Sequence, residues 1–269
     1  MTDRTARSRN PEGRMSLGQH LVELRKRLTR AALAVLLGTI ASFWLVAPVW
    51  ESLSAPVLAV GLADDRETAI QYTRVTEAFD TTMLIAITLG IVMSSPIWLY
   101  QLWAFIVPAL HRTEKRYAIG FIGAAVPLFL AGCAAGWFLL PNIVTIMASF
   151  AAADTFTLFT AQGYLDFSLK LILAIGVGFV LPVVLVMLNF ARVMSASTII
   201  RGWRWAILAI TAFTAIATPA ADVLSMILLA LPMIGLYFLA AAIAALHDKR
   251  VAKRESALAA EYGIDAAPA

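Results

Sequence analysis

The stretch "HLVELRKRLTRAALAVLLGTIASFWLVAPVW", residues 20–50, passes from a charged segment into a long segment without any charge. The uncharged part, residues 31–50, has the roughly 20 apolar residues that a helix needs to cross a bilayer. The whole chain of 269 residues is 61% hydrophobic and only 14% charged, whereas soluble domains average about 25% charged residues. This stretch therefore predicts a helical membrane protein.

Five further uncharged stretches follow, so the predicted fold is all-α and polytopic, with six transmembrane helices. The predicted spans are about 29–50, 78–104, 117–140, 165–190, 204–218 and 223–246, within a membrane domain of residues 16–247. Residues 1–15 are predicted to be a disordered cytoplasmic tail, and the polar, alanine-rich residues 248–269 a cytoplasmic tail that frays. The charged residues 51–80 are predicted to form a loop.

The fifth span is short, because only 14 residues separate Arg204 from Pro219. These residues make about 21 Å of helix, against a hydrocarbon core of about 30 Å. Two interpretations stay open. The span thins the bilayer or packs on a partner helix, or the chain around Pro219 continues the span irregularly under the cover of other helices.

The distribution of basic residues predicts the orientation. An even number of spans puts both termini on one side, and 18 of the 21 lysines and arginines then lie on that side; the exceptions are Arg66, Arg74 and Lys170. Because basic residues collect on the cytoplasmic side of membrane proteins, both termini are predicted to be cytoplasmic.

Prolines within the spans predict bent helices. Pro96, Pro127 and Pro182 lie inside predicted spans, and span three is expected to break near Pro141. Proline removes a backbone donor and kinks a helix, so the bundle is expected to be cupped.

Motifs of catalysis and cofactor binding are missing from the sequence. There is no Gly-rich nucleotide loop and no H-E-x-x-H, and the three histidines, His20, His111 and His247, lie separately at span ends, where we expect them to be solvated or to face headgroups. The single Cys133 lies in an apolar run, as a small buried side chain does. We therefore expect no enzyme, no cofactor, no metal site and no nucleic-acid partner.

The segment before span one is predicted to be an amphipathic helix at the membrane surface. Ser16 and Gln19 fit a capping box. Leucines fall on one face (Leu17, Leu21, Leu24, Leu28) and charged residues on the other (Glu23, Lys26, Arg27, Arg30). Glu23 and Arg27 have the i,i+4 spacing of an ion pair on one helix. Glu114 has a similar basic setting, so each acid is either half of a local pair or part of a binding site.

Several motifs closely resemble the TatC family, the multi-spanning receptor subunit of the twin-arginine protein translocase. They are "HLVELRKRL" at 20–28, "SAPVL" at 54–58, "SSPIWLYQLWAFIVPALHRTEKR" at 94–116, "LPVV" in span four and "LLALPM" at 228–233. The resemblance covers roughly residues 17–246. It implies a glove-like six-helix fold in the bacterial plasma membrane, with both termini cytoplasmic.

The resemblance also implies a function and its residues. It implies that the chain binds twin-arginine signal peptides of folded preproteins and nucleates a complex that moves them across the membrane, driven by the proton gradient. The implied peptide-binding residues are Glu23, Glu114, Arg25, Phe105 and Leu110, with Arg25 holding the acids in place. Arginine takes a carboxylate bidentately and lysine does not. The implied shape-setting residues are Pro56, Pro96 and Pro108. The implied partners are single-span Tat subunits of the TatA and TatB type and further copies of the receptor.

Two positions depart from the family pattern. Val180 replaces a polar residue that is frequent in span four of the family. The turn after Pro219 is one residue longer than the family pattern, and the resemblance there implies, only weakly, a polar or partner contact for Asp222. Asp166 and Lys170, spaced i,i+4 at the outer end of span four, are either a boundary anchor or a contact to a partner helix.

Two other classes of function are alternatives to a receptor. A secondary transporter would need polar residues at mid-membrane, and these spans hold little beyond Ser94, Ser95 and Thr214. A membrane assembly scaffold without substrate recognition explains the fold but not the two acids.

Overall fold

The computed structural model of the chain describes residues 17–63, 68–106, 115–149, 157–217 and 223–262. Most residues in these ranges are helical, which confirms the predicted all-α membrane class apart from two short strands. The described elements are α1 Leu17–Ser42, a 3-10 turn Phe43–Leu45, α2 Val46–Ala63, β1 Thr68–Gln71, α3 Glu77–Met93, α4 Ser95–Ile106, α5 Lys115–Ser149, β2 Thr157–Thr160, α6 Ala161–Phe190, α7 Ala196–Arg201, α8 Trp203–Ala217 and α9 Val223–Tyr262.

Several helical stretches have the length and composition of membrane spans. Four qualify alone within the described ranges: His20–Ala59, Gly120–Ile146, Ala161–Phe190 and Met226–Tyr262. Helices α3 and α4 qualify together as a bent pair, and α8 is apolar but shorter. The 15 residues of α8 extend over about 22 Å, which agrees with the short fifth span. The count of six spans stays a prediction, and Pro219 lies outside the described residues.

Helices α1 and α3 cross with their backbones in contact. A Cβ atom on Gly38 would lie 2.7 Å from the Gly90 carbonyl oxygen, and one on Gly90 would lie 2.6 Å from the Thr39 nitrogen. Next to this crossing, the buried Ser42 hydroxyl donates to the Ala86 carbonyl at 2.8 Å. Small residues allow such close approach between membrane helices, so the two glycines fix where α1 meets α3.

A sharp bend separates α3 from α4. The two helices meet at 62°, and Pro96, which has no backbone N–H, is the second residue of α4. The Trp98 indole reaches back across the bend and donates to the Ile91 carbonyl at 2.9 Å, so a side chain satisfies a carbonyl that the bend exposes. The predicted kink at Pro96 is present, and it places α4 against α1.

Helices α5 and α6 form the largest helix pair of the main core. A Cβ on Gly132 would lie 2.8 Å from the Gly176 Cα, and one on Gly136 would lie 3.0 Å from the Ile172 Cα. The prediction that span three breaks near Pro141 is wrong, because α5 continues through that residue to Ser149. Helix α5 packs on α6, and such contacts between membrane helices compensate for the backbone hydrogen bond that Pro141 cannot donate. Both Pro127 and Pro182 also lie inside unbroken helices, α5 and α6 respectively.

The predicted loop of residues 51–80 is largely structured. Helix α2 continues to Ala63, and β1 pairs in parallel with β2, Ala69 opposite Leu158. The buried Glu77 carboxylate accepts hydrogen bonds from the Thr73 N–H at 2.6 Å and, through its other oxygen, from the Gln162 N–H at 2.9 Å. It thereby ties α3 to the start of α6. Four-residue strands that pair across 89 positions leave no local signal in the sequence.

The prediction of a frayed tail after Asp248 is wrong up to Tyr262, where α9 ends. The Asp248 carboxylate accepts from the Asn189 amide at 2.9 Å and the Ala196 N–H at 2.7 Å, and Glu255 pairs with Arg192 at 3.1 Å. Alanine, lysine, arginine and glutamate also favour helix, so local propensity and these contacts together extend α9 past the apolar segment. Residues 1–16 and 263–269 lie outside the described residues.

Most of the basic residues in the described ranges lie at one end of the bundle, where α1 and α5 begin and α4 and α6 end. Aromatic pairs join the start of α1 to the end of α4 (His20–Phe105) and the end of α4 to the start of α5 (Trp103–Phe121). The Asn189–Asp248 bond joins the end of α6 to α9. We call this the basic end, and the end that carries β1 and β2 the strand end.

Candidate functional site

The side of α1 that faces α4 carries Glu23 and Arg27. The Arg27 Nε lies 3.0 Å from Glu23 Oε1, and its Nη2 also contacts that oxygen. The side chains of Glu23 and Arg27 are 22% and 21% exposed, while Leu21 and Leu28 are 64% and 65% exposed. The predicted i,i+4 pair is therefore present, on the inward face of α1. Of the predicted leucine face, Leu21 points outward, whereas Leu24 and Leu28 lie on the side of the groove between α1 and α4 that is described below.

An aromatic stack joins the first turns of α1 to the end of α4. The His20 and Phe105 rings are 4.6 Å apart at 24°, and both side chains are half-buried. We expected His20 to be solvated or to face headgroups, and the stack places it on the protein instead. Phe105, one of the predicted site residues, is thereby fixed next to the turn of α1 that carries Glu23.

A groove runs between α1 and α4 below the Glu23–Arg27 pair. Its volume is about 290 Å³, at the lower limit of the roughly 300–1,000 Å³ of typical ligand pockets. Six of its eight lining side chains are apolar; the lining residues are Leu24, Arg27, Leu28, Ala31, Trp98, Gln101, Leu102 and Phe105. We call it the α1–α4 groove. It offers an apolar floor with one cation at its edge.

Two oxygens at this groove have no hydrogen-bond partner among the described residues. One is Oε1 of Gln101, a lining residue that is 8% exposed, and the other is Oε2 of Glu23, next to the groove. Most buried polar atoms in proteins are hydrogen-bonded. A ligand that donates hydrogen bonds to these two oxygens would therefore bind more tightly than a ligand that leaves them unpaired.

Because Glu114 lies outside the described residues, the role predicted for Arg25 stays a prediction. That residue is exposed, its carbonyl accepts from the Thr29 hydroxyl at 2.8 Å, and it makes no ion pair with any acid in the described ranges. Among the described residues, Arg27 is the basic partner of Glu23. Of the other predicted binding residues, Glu114 and Leu110 lie outside the described residues, as does Pro108.

The remaining predicted residues lie away from the groove. Asp166 and Lys170 form the expected pair at 2.6 Å on an exposed face at the strand end. Pro56 lies inside α2, and Val180 is 5% exposed in the main core. Asp222 lies outside the described residues. Among the residues that the structure describes, no group of three or more potential ligands could hold a metal ion.

Sequence reasoning missed Arg27, Gln101 and Trp98 as site residues. A signal was available, because Trp98, Gln101, Leu102 and Phe105 have the spacing of one face of a helix. Of these four residues, the family motif indicates only Phe105. The pairing of that face with α1 follows from the bend at Pro96, whose angle the sequence does not specify.

Known proteins resemble this chain over most of its length. The family model described as "Sec-independent protein translocase protein (TatC)" matches residues 19–232. A protein of that name from Xylanimonas cellulosilytica is 42% identical over 247 residues, covering 92% of this chain and 90% of the relative. One from Rothia mucilaginosa is 34% identical over 260 residues, covering 96% and 89%.

Solved structures agree with these relatives. Two crystal structures of the twin-arginine translocase receptor TatC, one of them in the detergent DDM, match with TM-scores of 0.71 and 0.72. Each is 30% identical to this chain and covers 84% of it, over 98% and 99% of its own length. The chain therefore belongs to the TatC family of Sec-independent protein translocase proteins.

Proposed function

We propose that this TatC-family membrane protein is the receptor subunit that binds twin-arginine signal peptides, with the α1–α4 groove and Glu23 as part of the binding site. One observation carries the proposal: a half-buried carboxylate with an unpaired oxygen lies beside an apolar groove. A secretory signal peptide has a positive segment followed by an apolar segment of roughly 7–15 residues. The acid matches the positive segment, and the apolar groove matches the apolar segment.

The two carboxylate oxygens of Glu23 can bind different partners. Arg27 contacts only Oε1 of the carboxylate, so an arginine of the peptide can donate to Oε2 without displacing it. The planar guanidinium suits such a shared carboxylate better than the ammonium of lysine. Glu114, eight residues after the last described residue of α4, is proposed as the second acid, because two adjacent arginines call for more than one carboxylate.

The membrane setting is part of the proposal. The basic end carries Arg25, Lys26 and Arg30 on α1 and Lys249 and Arg250 on α9, so the positive-inside rule favours a cytoplasmic location for it and for both termini. The groove would then open where signal peptides arrive, in the bacterial plasma membrane. Assembly with single-span Tat subunits and further receptor copies, and transport driven by the proton gradient, complete the proposal by analogy with the family.

Binding of synthetic peptides to the purified protein tests this function. A twin-arginine peptide is expected to bind, and its twin-lysine version to bind at least tenfold more weakly, because the delocalised guanidinium is more weakly hydrated than the ammonium of lysine and loses less on leaving water. Equal affinities for the two peptides would contradict the proposal.

Gln101→Leu is expected to weaken binding of the twin-arginine peptide about three- to tenfold. The substitution removes the unpaired acceptor in the groove but keeps an apolar lining, and a hydrogen bond contributes about 0.5–1.5 kcal/mol. The folded protein should not lose stability, because Oε1 bonds to none of the described residues. Gln71→Leu, an exposed change at the strand end, is the control. If both variants bind like the wild type, Gln101 does not contact the peptide.

A further inference from the structure

A second cavity lies between α6, α7, α8 and α9. Its volume is about 360 Å³, and its walls include Leu181, Leu185, Ala206, Ile210 and Met233. The one hydroxyl in its described lining, that of Tyr237, donates to the Ile199 carbonyl and is satisfied. Since Leu181 is 47% exposed, the cavity is open at the surface of the bundle. It is therefore an apolar slot that lipid tails can reach.

The apolar lining of the slot indicates the chemistry of its occupant. Apolar cavities of this kind exclude water and accept apolar guests. A single hydrocarbon chain is thin and flexible, so it can follow the space between the helices. A single acyl chain therefore matches the slot in chemistry.

Basic side chains flank this slot where it meets the basic end. Gly202 lines the cavity, and the exposed Arg201 and Arg204 lie on either side of it in the chain. Neither forms an ion pair with an acid in the ranges that the structure describes, whereas Arg192 nearby is paired with Glu255. The Arg204 guanidinium lies 5.4 Å from the centre of the exposed Trp203 ring. Tryptophan and arginine are typical of the headgroup level of a membrane.

We propose that this slot binds an anionic phospholipid, with one acyl chain between α6, α8 and α9 and the phosphate at Arg201 and Arg204. The charge of these arginines selects an anionic headgroup over a zwitterionic one. The site is separate from the α1–α4 groove, and the proposal does not depend on the signal-peptide function. A bound lipid there would hold the short helix α8 against α6.

Native mass spectrometry of the full chain in detergent tests the site. With phosphatidylglycerol and phosphatidylcholine added at equal concentration, the wild type should retain phosphatidylglycerol preferentially. In Arg201→Gln/Arg204→Gln this preference should fall by about tenfold. The control Arg250→Gln/Arg254→Gln, with the same loss of charge at exposed positions of α9, should keep it. A wild type without preference, or an equal loss in the control, would overturn the proposal.

A second variant separates the acyl chain from the charge. Ala206→Phe fills the slot, since Ala206 lines it, and should reduce retention of both lipids to a background level. That background is measured with soluble glycerol phosphate, which has the phosphate but no acyl chain. If Ala206→Phe does not fold, as judged by reaction of the buried Cys133 thiol, Ala209→Phe at the more exposed lining position replaces it. Unchanged lipid retention in a folded slot-filling variant would contradict the proposal.

Discussion

Glu23→Ala is expected to weaken binding of a twin-arginine peptide by about ten- to a hundredfold. A charged hydrogen-bonded contact contributes about 1.5–3 kcal/mol, and every 1.4 kcal/mol is about tenfold in affinity. Solvent screening of a side chain that is 22% exposed lowers this estimate. The loss of the carboxylate also frees Arg27 at the edge of the groove, and an unpaired cation there repels an arginine-rich ligand.

The measurement is the affinity of twin-arginine and twin-lysine peptides for wild type, Glu23→Ala and Glu23→Ala/Glu114→Ala. Glu255→Ala is a matched control, because it also removes an acid paired with an arginine at the basic end, but outside the groove. If Glu23 served only its pair with Arg27, its removal would cost a few tenths of a kcal/mol in helix stability and leave peptide binding unchanged. That result would remove Glu23 from the site.

Gly90→Val is expected to lower the thermal unfolding temperature by on the order of 5–10 °C. A Cβ atom on Gly90 would lie 2.6 Å from the Thr39 nitrogen and 2.8 Å from its Cα, and backbone atoms cannot move aside as a flexible side chain can. The crossing of α1 and α3 would have to open. Because α1 also forms one wall of the α1–α4 groove, peptide binding should weaken as well.

Reaction of the free, buried Cys133 with a thiol-specific dye during heating reports unfolding without an added label. Gly123→Val is the control, since a Cβ there meets no atom within 4 Å while the change in helix propensity is the same. Equal unfolding temperatures for the two variants would show that the α1–α3 crossing adapts to the added methyl groups.

The sequence predicts what depends on local composition. Uncharged stretches predict the apolar helices, and Pro96 predicts the bend between α3 and α4, since proline lacks the N–H that a continuing helix needs. Pro141 has the same chemistry without the same effect, because α5 is held by α6 through contacts such as those of Gly136. Whether a proline ends a helix thus depends on neighbours distant in sequence. The strand pair β1–β2 was missed for a similar reason.

The candidate site is likewise predicted only in part by the sequence. The spacing of Glu23 and Arg27 predicts their pair, and the family motif draws attention to Phe105. Neither predicts that this pair faces inward or that Gln101 has an unpaired oxygen, because both follow from the packing of α4 on α1.

Site-specific photocrosslinking tests the central claim most directly. A photoreactive residue at Leu102, which lines the α1–α4 groove, should crosslink to a bound signal peptide. Excess unlabelled twin-arginine peptide should abolish this crosslink, and twin-lysine peptide should not. The same residue at Ile87, exposed on α3 outside the groove, should give only background. Crosslinks at Ile87 equal to those at Leu102, or competition by both peptides alike, would contradict the assignment of the groove as the signal-peptide site.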